Sequence, residues 1–395
     1  MFFPDKIKLM KKLIVIFFVI FSSFFSVGLT VTQRAFENNE PDTSEESEKY
    51  EHKIKESYCI GKVIKIILEE EEELPSGNKQ SSQQLLLEIT SGNDKGKERS
   101  SLNLIPDNPA FAIKGVVGKK YLVSKVEDLD TGNEDYYIID YYREPFIWYL
   151  SGLFFISLIV IGGLKGIRTI VSLLTTIALI ALLLIPSLEK GINPLFSAVL
   201  ISFISTGFTM LFVAGFNFKS LASTTGTVIG VLVSGIIATY IIKVANLTGL
   251  ASNEAMILWG NQLYQINFKG LLAAGMIVSC LGAVMDVAIS ISSSIHELKI
   301  ANPGYTINKL FKSGMNIGRD IMGTMTSTLV LAYTGMALPL LLLISHEQNP
   351  SKYLNLELVV SEITAAIAGS VGLIVTIPAT AIIMSWLVCF RKKTV

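Results

Sequence analysis

Repeated apolar runs of about 20 residues are the feature that most limits what this chain can fold into. A helix of that length spans about 30 Å, the thickness of the hydrocarbon core of a membrane. Half of the 395 residues are hydrophobic and only 17% are charged. The sequence therefore predicts a polytopic all-α membrane domain with about eight transmembrane helices. One lies within residues 1–34, and seven more lie near 147–164, 169–187, 194–215, 221–242, 270–295, 317–343 and 358–388.

The basic residues between these runs predict the orientation of the chain. They collect in alternate connections, which the positive-inside rule assigns to the cytoplasm. An even number of spans then puts both termini in the cytoplasm of a multi-pass cell-membrane protein. The basic N-terminus suits a cleaved signal peptide or an anchor helix, and we favour an uncleaved anchor over residues 1–34. The cytoplasmic set has 13 members, Lys6, Lys8, Lys11, Lys12, Lys165, Arg168, Lys219, Lys299, Lys309, Lys312, Arg391, Lys392 and Lys393, against Lys190, Lys243, Lys269 and Lys352 opposite.

A polar region over residues 35–145 separates the first two spans and is predicted to be extracytoplasmic. Residues 35–57 are acidic and poor in apolar residues, which is typical of a linker. Residues 58–145 contain five short strand-like runs separated by turn sequences such as PSGNK and DTGNED. We expect a small antiparallel all-β barrel of the OB or SH3 type, inserted between helices one and two and followed by a seven-helix membrane domain over 146–395. The region carries 24 acidic and 14 basic residues, so nucleic-acid binding is not expected.

Two aspartates, Asp286 and Asp320, lie inside the apolar runs of the sixth and seventh spans. A carboxylate at membrane depth costs about 2.5 to 3.5 kcal/mol on insertion scales and is rarely left facing lipid. Each aspartate is therefore a candidate for an ion or solute path. The structural alternative is a hydrogen bond between helices or an ion pair with Arg319, although successive helical positions point about 100° apart.

Small polar residues surround both aspartates at helical spacing, toward the cytoplasmic half of each span. A repeat of three or four residues puts them on one face of a helix. The fifth span also begins with hydroxyl groups, including Thr225 and Thr227, for which helix packing is the better interpretation and path lining the alternative. The two stripes are Ser279, Gly282, Asp286, Ser290 and Ser293 on the sixth span, and Asn316, Asp320, Thr324 and Ser327 on the seventh.

No motif in the sequence predicts an enzyme. Walker A, HExxH and GxSxG motifs are missing, and the three cysteines and three histidines have no metal-binding spacing. Aspartates on successive helices also occur in diaspartyl intramembrane proteases. Those have GxGD before the second aspartate, whereas this chain has Ile317-Gly318-Arg319-Asp320, with an arginine that would disturb a shared-proton pair. We therefore expect no catalytic residue, metal or cofactor.

Several long motifs resemble the YibE/F family of multipass membrane proteins. They are GAVMDVAISISSSIHEL at 282–298, SGMNIGRDIMGTMTSTLVLAYTGMALPLLLL at 313–343, SEITAAIAGSVGLIVTIPAT at 361–380, Lys165-Gly166, Asn217-Phe218-Lys219 and, in the polar region, the turn ITSGNDKGK. One departure is Ser327, where the family pattern has asparagine, and serine keeps that position polar. The resemblance implies a multipass topology and no particular substrate.

Two functions remain open from the sequence. The first is a permease or channel for an ion or small solute, in which spans five to seven line a polar path and Asp286 and Asp320 bind a proton or cation. Its partners would be the lipid bilayer and that solute. The second is a non-transporting scaffold for envelope assembly, whose outer β domain docks other proteins and whose aspartates hold helices together.

Overall fold

The computed structural model describes residues 54–73, 79–108, 110–129, 132–215, 217–260, 266–346 and 350–390. The predicted anchor helix, 1–34, lies outside the described residues, as does the predicted linker up to residue 53. The described residues divide into two compact units, one that runs to Ser157 and one that begins at Leu158.

The first unit contains a closed five-stranded barrel. Its order is β1-β2-β3-β5-β4, and β4 pairs back to β1. Four pairings are antiparallel, as expected, and the single bridge between Ser101 of β3 and Tyr136 of β5 is parallel. This Greek-key closure is that of an OB fold rather than of an antiparallel ring. The strands are β1 Ile54–Glu73, β2 Lys79–Ile89, β3 Glu98–Ile105, β4 Lys120–Asp128 and β5 Glu134–Tyr141.

Alternating residues of the strands fill the barrel. Val63, Leu85, Leu87 and Val123 are fully buried, because side chains two residues apart point to the same face of a strand. A buried Gln83 in this interior accepts a hydrogen bond from the backbone N–H of Gly115 at 2.8 Å. The five predicted strands are confirmed, each extended or shifted by a few residues.

The rest of the described chain is helical. Its helices are α1 Glu144–Leu179, continued by a π-helical turn Ile180–Leu184, then α2 Ile185–Glu189, α3 Pro194–Ala214, α4 Phe218–Val244, α5 Asn253–Gly260, α6 Phe268–Ala301, α7 Ile307–Met336, α8 Leu338–Ser345, α9 Pro350–Leu354 and α10 Glu357–Phe390. Asparagine side chains at residues 193, 217 and 267 cap the first turns of α3, α4 and α6, which satisfies backbone N–H groups that have no partner within the helix.

A sharp turn interrupts α1 at Gly163. Its φ of 53° and ψ of −128° are not helical, and only glycine adopts such angles at low cost. A Cβ on Gly166 would overlap the carbonyl oxygen of Leu158, although eight residues of straight helix would separate them by about 12 Å. The segment Glu144–Glu189 counts as one 46-residue candidate span, whereas the sequence predicts two spans that meet near this turn.

Five of the described helical segments are long and apolar enough to cross a membrane, and six if α7 and α8 are counted as one bent span. This supports a multi-pass membrane domain, and the predicted number of crossings stays a prediction. Where the sequence predicts a span near 317–343, the structure has two helices, α7 and α8, which are bent by 67° at the break between them. Pro339 lies in the first turn of α8, where a proline has no N–H and its ring would clash with a preceding helical turn.

Candidate functional site

The stripe of small polar residues on α6 lies on the outer side of that helix. The opposite side of α6 packs into the core through Ile277, Val284 and Ile291, which are fully buried. Ser279, Gly282 and Asp286 are exposed, and Ser290 and Ser293 are partly exposed. Asp286 makes no hydrogen bond or ion pair with any described residue. The structure therefore brings this predicted stripe together on one accessible face.

The stripe on α7 also lies on the outer side of its helix. Gly318, Leu329 and Tyr333 face the core, which leaves the other side of the helix exposed. The exposed set contains every predicted site residue of this helix, namely Asn316, Arg319, Asp320, Thr324 and Ser327. Thr324 donates to the carbonyl of Ile321 at 2.9 Å within its own helix.

Arg319 and Asp320 are neighbours in sequence but do not pair with each other. The Arg319 guanidinium donates from Nη1 to Oδ1 of Asn316 at 3.2 Å, one turn earlier on the same helix. Asp320 forms no hydrogen bond or ion pair within the described part of the chain. The proposed structural role, a carboxylate that bridges helices or neutralises Arg319 within the molecule, has no contact here that supports it.

Ser279 of the α6 stripe makes a direct contact with α7. Ser279 of α6 and Tyr333 of α7 are hydrogen-bonded through their hydroxyl groups. The Ser279 hydroxyl also lies 2.9 Å from the carbonyl oxygen of Met276. The contact links the outer stripe of α6 to a core-facing residue of α7.

The hydroxyl groups of α4 have a different environment. Thr225 donates to the carbonyls of Leu221 and Ala222, at 2.8 and 3.1 Å within its own helix. Thr227 is fully buried, and its hydroxyl has no hydrogen-bond partner among the described residues. Neither threonine shares a contact with Asp286 or Asp320, so the structure separates them from the aspartate stripes.

Close to Thr227 in the sequence, α4 packs tightly against α10, in what we call the α4–α10 interface. Its centre is Gly226 and Gly230 of α4 against Gly372, Thr376 and Thr380 of α10. A Cβ on Gly226 would overlap the hydroxyl of Thr380, and one on Gly230 would lie 2.7 Å from the carbonyl oxygen of Gly372. Small residues let helix backbones approach closely in membranes, so this stripe serves packing.

A cavity of about 700 Å³ opens beside the first turns of α4. Three of its polar residues, Asn217, Ser220 and Thr224, were not among the predicted site residues; the signal for them was the hydroxyl-rich start of the fifth span. Ser220 donates to the carbonyl of Met210 at 3.2 Å, so part of this polarity serves the packing of α3 against α4. The full lining is Phe203, Gly207, Leu211, Asn217, Phe218, Ser220, Leu221, Thr224, Thr225 and His296.

The densest charged cluster lies in the barrel, around Asp94. This carboxylate accepts from Lys97 at 2.7 Å, from Lys125 at 2.7 Å and from the Tyr136 hydroxyl at 3.0 Å. Its side chain is 9% exposed. The sequence analysis did not select it, although Asp94 lies in the ITSGNDKGK turn, because its main partner comes from a strand 31 residues later.

Charge pairing shifts the titration of this cluster. Hydrogen bonds from Lys125 and then Lys97 hold the pKa of Asp94 well below its usual range. Lys125 also bonds to Glu134 at 2.6 Å and lowers the pKa of that carboxyl. In return, Asp94 and then Glu134 raise the pKa of Lys125. The cluster holds the β2–β3 turn against β4 and β5.

Comparison with known proteins covers the helical region. Residues 150–389 match the family model described as YibE/F-like protein, which is well over half of the chain. The ITSGNDKGK turn lies outside the match. No curated protein and no solved structure matches the chain. The described residues contain no group of three or more His, Cys, Asp or Glu side chains that could hold a metal ion.

Proposed function

We propose that this chain, which belongs to the YibE/F-like family, is a membrane permease or channel for a small cation or solute, with Asp286 and Asp320 in its path. One observation carries the proposal: both carboxylates lie on accessible helix faces without a hydrogen bond or ion pair among the described residues. An ionised group at membrane depth is expensive unless it faces water, a ligand or a partner. A carboxylate that only joined helices would have a contact within the bundle.

The neighbouring groups suit such a path. Serine, threonine and asparagine oxygens can replace water around a cation, and their N–H and O–H groups can bind a polar solute. Ser290 accompanies Asp286 on α6, and Asn316, Thr324 and Ser327 accompany Asp320 on α7. We leave Thr225 and Thr227 out of the proposed path, because their surroundings favour helix packing. The proposal involves no catalytic step.

The distribution of basic residues supports an assignment of the two ends of the path to the two sides of the membrane. We assign the α6–α7 connection, with Lys299 and Lys309, to the cytoplasm, and residues 35–145 to the outside. Both aspartates then lie in the cytoplasmic half of the membrane. A cation would meet them close to its cytoplasmic entrance or exit.

Flux through reconstituted vesicles tests the proposal. The full-length protein is placed in liposomes that contain a fluorescent dye selective for the cation under test, and proton, Na⁺ and K⁺ gradients are applied in turn. We expect the wild-type protein to carry at least one of these cations, and Asp286→Asn and Asp320→Asn each to reduce the flux to that of empty vesicles. Glu189→Gln, the same charge loss at an exposed helix end, is the matched control and should transport normally.

Two results would contradict the proposal. One is wild-type flux in both amide variants, with their folding verified by thermal unfolding. The other is a wild-type protein that moves none of the three cations, which would overturn the cation form and leave an uncharged or anionic solute for the same vesicle assay.

One observation favours the scaffold as a second candidate. Leu102 and Leu104 of β3 are 52% and 56% exposed on the outside of the barrel, and Leu68 of β1 is 50% exposed. Leu68 and Leu102 both pair with Gln84, from opposite sides, so the two leucines flank this glutamine on one face of the barrel. A photo-reactive residue at position 102 should then cross-link a partner protein in intact cells, whereas one at exposed Tyr58 should not. Equal labelling from both positions would argue against docking here.

A further inference from the structure

The outer face of α7 is polar and lies alongside helices that qualify as membrane spans. On its inner side, a Cβ on Gly314 would come within 2.6 Å of Ile295 on α6 and 3.2 Å of Ala381 on α10. Four turns further along α7, Leu329 lies close to Gly369 of α10. Since α6 and α10 are candidate spans, the outer face of α7 is at the same depth in the membrane.

Lipid is an unfavourable environment for the outer face of α7. Arg319 and Asp320 each cost about 2.5 to 3.5 kcal/mol at the centre of a membrane helix. In agreement, α7 qualifies as a span only when the apolar α8 is counted with it. The face therefore needs a polar partner.

We propose that this partner is the same face of a second copy of the chain, in a parallel two-fold dimer. Asn316, Gly323 and Val330 repeat every seven residues and are all exposed, so they mark the centre line of the face. Arg319 and Asp320 lie on either side of that line, because successive residues are about 100° apart. A two-fold axis along the membrane normal turns each copy's Arg319 toward the Asp320 of the other.

Charge and size both favour a second copy as the occupant. Between Asn316 and Val330 the face carries one positive and one negative side chain at nearly one depth, so this part complements itself, and the exposed Lys309 and Lys312 lie outside it at the start of the helix. An added Cβ on Gly323 would meet no atom within 4 Å, and with Ser327 four residues later this allows two helices to approach closely. The predicted anchor helix, whose apolar run LIVIFFVIFSSFFSVGL has no charged residue, lacks a counter-charge for either group.

The dimer extends the proposed function without depending on it. A cation that binds Asp320 would replace the arginine of the other copy as its counter-charge, so the carboxylate stays available to a path between the copies. A scaffold could use the same contact. Cross-linking measures the dimer without any flux, so the two ideas fail separately.

Cysteine cross-linking of the full-length protein in native membranes tests the interface. Gly323→Cys should give a disulfide-linked dimer after mild oxidation, since equivalent residues on the centre line meet at a two-fold axis. Ile236→Cys, 64% exposed on α4, is the matched control and should stay monomeric. The wild-type protein, which keeps Cys59, Cys280 and Cys389, gives the background.

Charge reversal tests the pairing. Arg319→Asp or Asp320→Arg alone places like charges together and should weaken the Gly323→Cys cross-link about tenfold or more. The double reversal Arg319→Asp, Asp320→Arg restores opposite charges and should restore the cross-link.

Three outcomes would overturn the proposal. One is a Gly323→Cys protein that stays monomeric although its thiol reacts with a small reagent. Another is equal cross-linking of the α4 control. The third is a cross-link between position 323 and a cysteine placed in residues 13–29, which would make the anchor helix the occupant.

Discussion

The carboxylate at the centre of the barrel cluster and the two aspartates of α6 and α7 have opposite surroundings. Asp94 of the barrel, near water, has Lys97, Lys125 and Tyr136 within 3.0 Å. Asp286 and Asp320, in helices where charge is far more costly, have no partner among the described residues. An unpaired charge costs more free energy within a membrane than near water. If charges were paired only for stability, Asp286 and Asp320 would therefore be paired before Asp94.

The difference separates a structural carboxylate from one kept for something outside the fold. The Asp94 contacts hold a turn onto two strands, which is a complete account of that residue. The two membrane aspartates have no such account among the described residues, which is why we propose a solute or a second copy of the chain as their partner. The hydroxyl groups divide in the same way. Thr376 and Thr380 of the α4–α10 interface are fully buried, whereas Thr324 and Ser327 of the α7 stripe are exposed.

The largest expected effect separates the two kinds of aspartate directly. Asp94→Asn should lower the free energy of unfolding of the barrel by about 3 kcal/mol, because the mostly buried Lys125 then keeps only Glu134 as a charged partner and Lys97 loses its own. Asp286→Asn should leave the stability of the helical unit unchanged within about 0.5 kcal/mol, since no contact is lost. Segment-resolved hydrogen exchange of the full-length protein measures both. A large loss of stability in the Asp286 variant would restore the helix-joining role.

Acid should affect the barrel through the same cluster. The pKa values of Asp94 and Glu134 are lowered in the folded state from ordinary values of 3.8 and 4.5. Their stabilisation is therefore present above those ordinary values and is lost as the pH falls through the folded pKa values. Exchange protection in β4 and β5, corrected for intrinsic rates, should decline below about pH 4. The decline should be shallower in Asp94→Asn, and equal slopes would argue against the pairing.

A pair of glycines tests the difference between enclosed and exposed stripes. Gly230→Ala should destabilise the helical unit by about 1 to 3 kcal/mol, because the new methyl group meets the backbone of Gly372. Gly282→Ala, on the exposed stripe of α6 where an added Cβ meets nothing within 4 Å, should be neutral or stabilise by up to about 1 kcal/mol through helix propensity. Thermal unfolding in detergent gives both values. If both variants lowered stability, the distinction between an enclosed and an exposed stripe would be wrong.

The smallest expected effect concerns Thr227. Its hydroxyl is buried without a hydrogen bond among the described residues. Thr227→Val keeps the shape and removes an unsatisfied polar group, so stability should rise by up to about 1 kcal/mol. Flux in vesicles should be unchanged. Loss of flux in this variant would return Thr227 to the path and place the interface within it.

The sequence predicted the elements better than their surroundings. The five strands follow from alternating residues and turn chemistry, and the stripes on α6 and α7 follow from helical spacing, because both are local patterns. Whether a stripe faces the core or the outside depends on the packing of distant helices, which the local sequence does not reveal. Thr227 of α4 and Thr324 of α7 lie in similar runs of serine, threonine and glycine, yet the packing of the helices buries the first and leaves the second exposed.

Long-range closure explains the other differences. Asp94 becomes a paired residue only when the barrel brings Lys125 beside it, which no spacing in one strand reveals. The bend between α7 and α8 falls where Pro339 begins a new helix, and the span predicted over 317–343 runs across it. The parallel contact of β3 with β5 likewise depends on how the sheet closes.

The close approach of Gly230 and Gly372 has a mechanical consequence. Each glycine's missing side chain is filled by the backbone of the other helix, so α4 and α10 cannot slide by a residue without collision. The close contact therefore fixes the positions of α4 and α10 relative to each other. Any movement that accompanied the proposed transport would therefore have to involve helices other than these two.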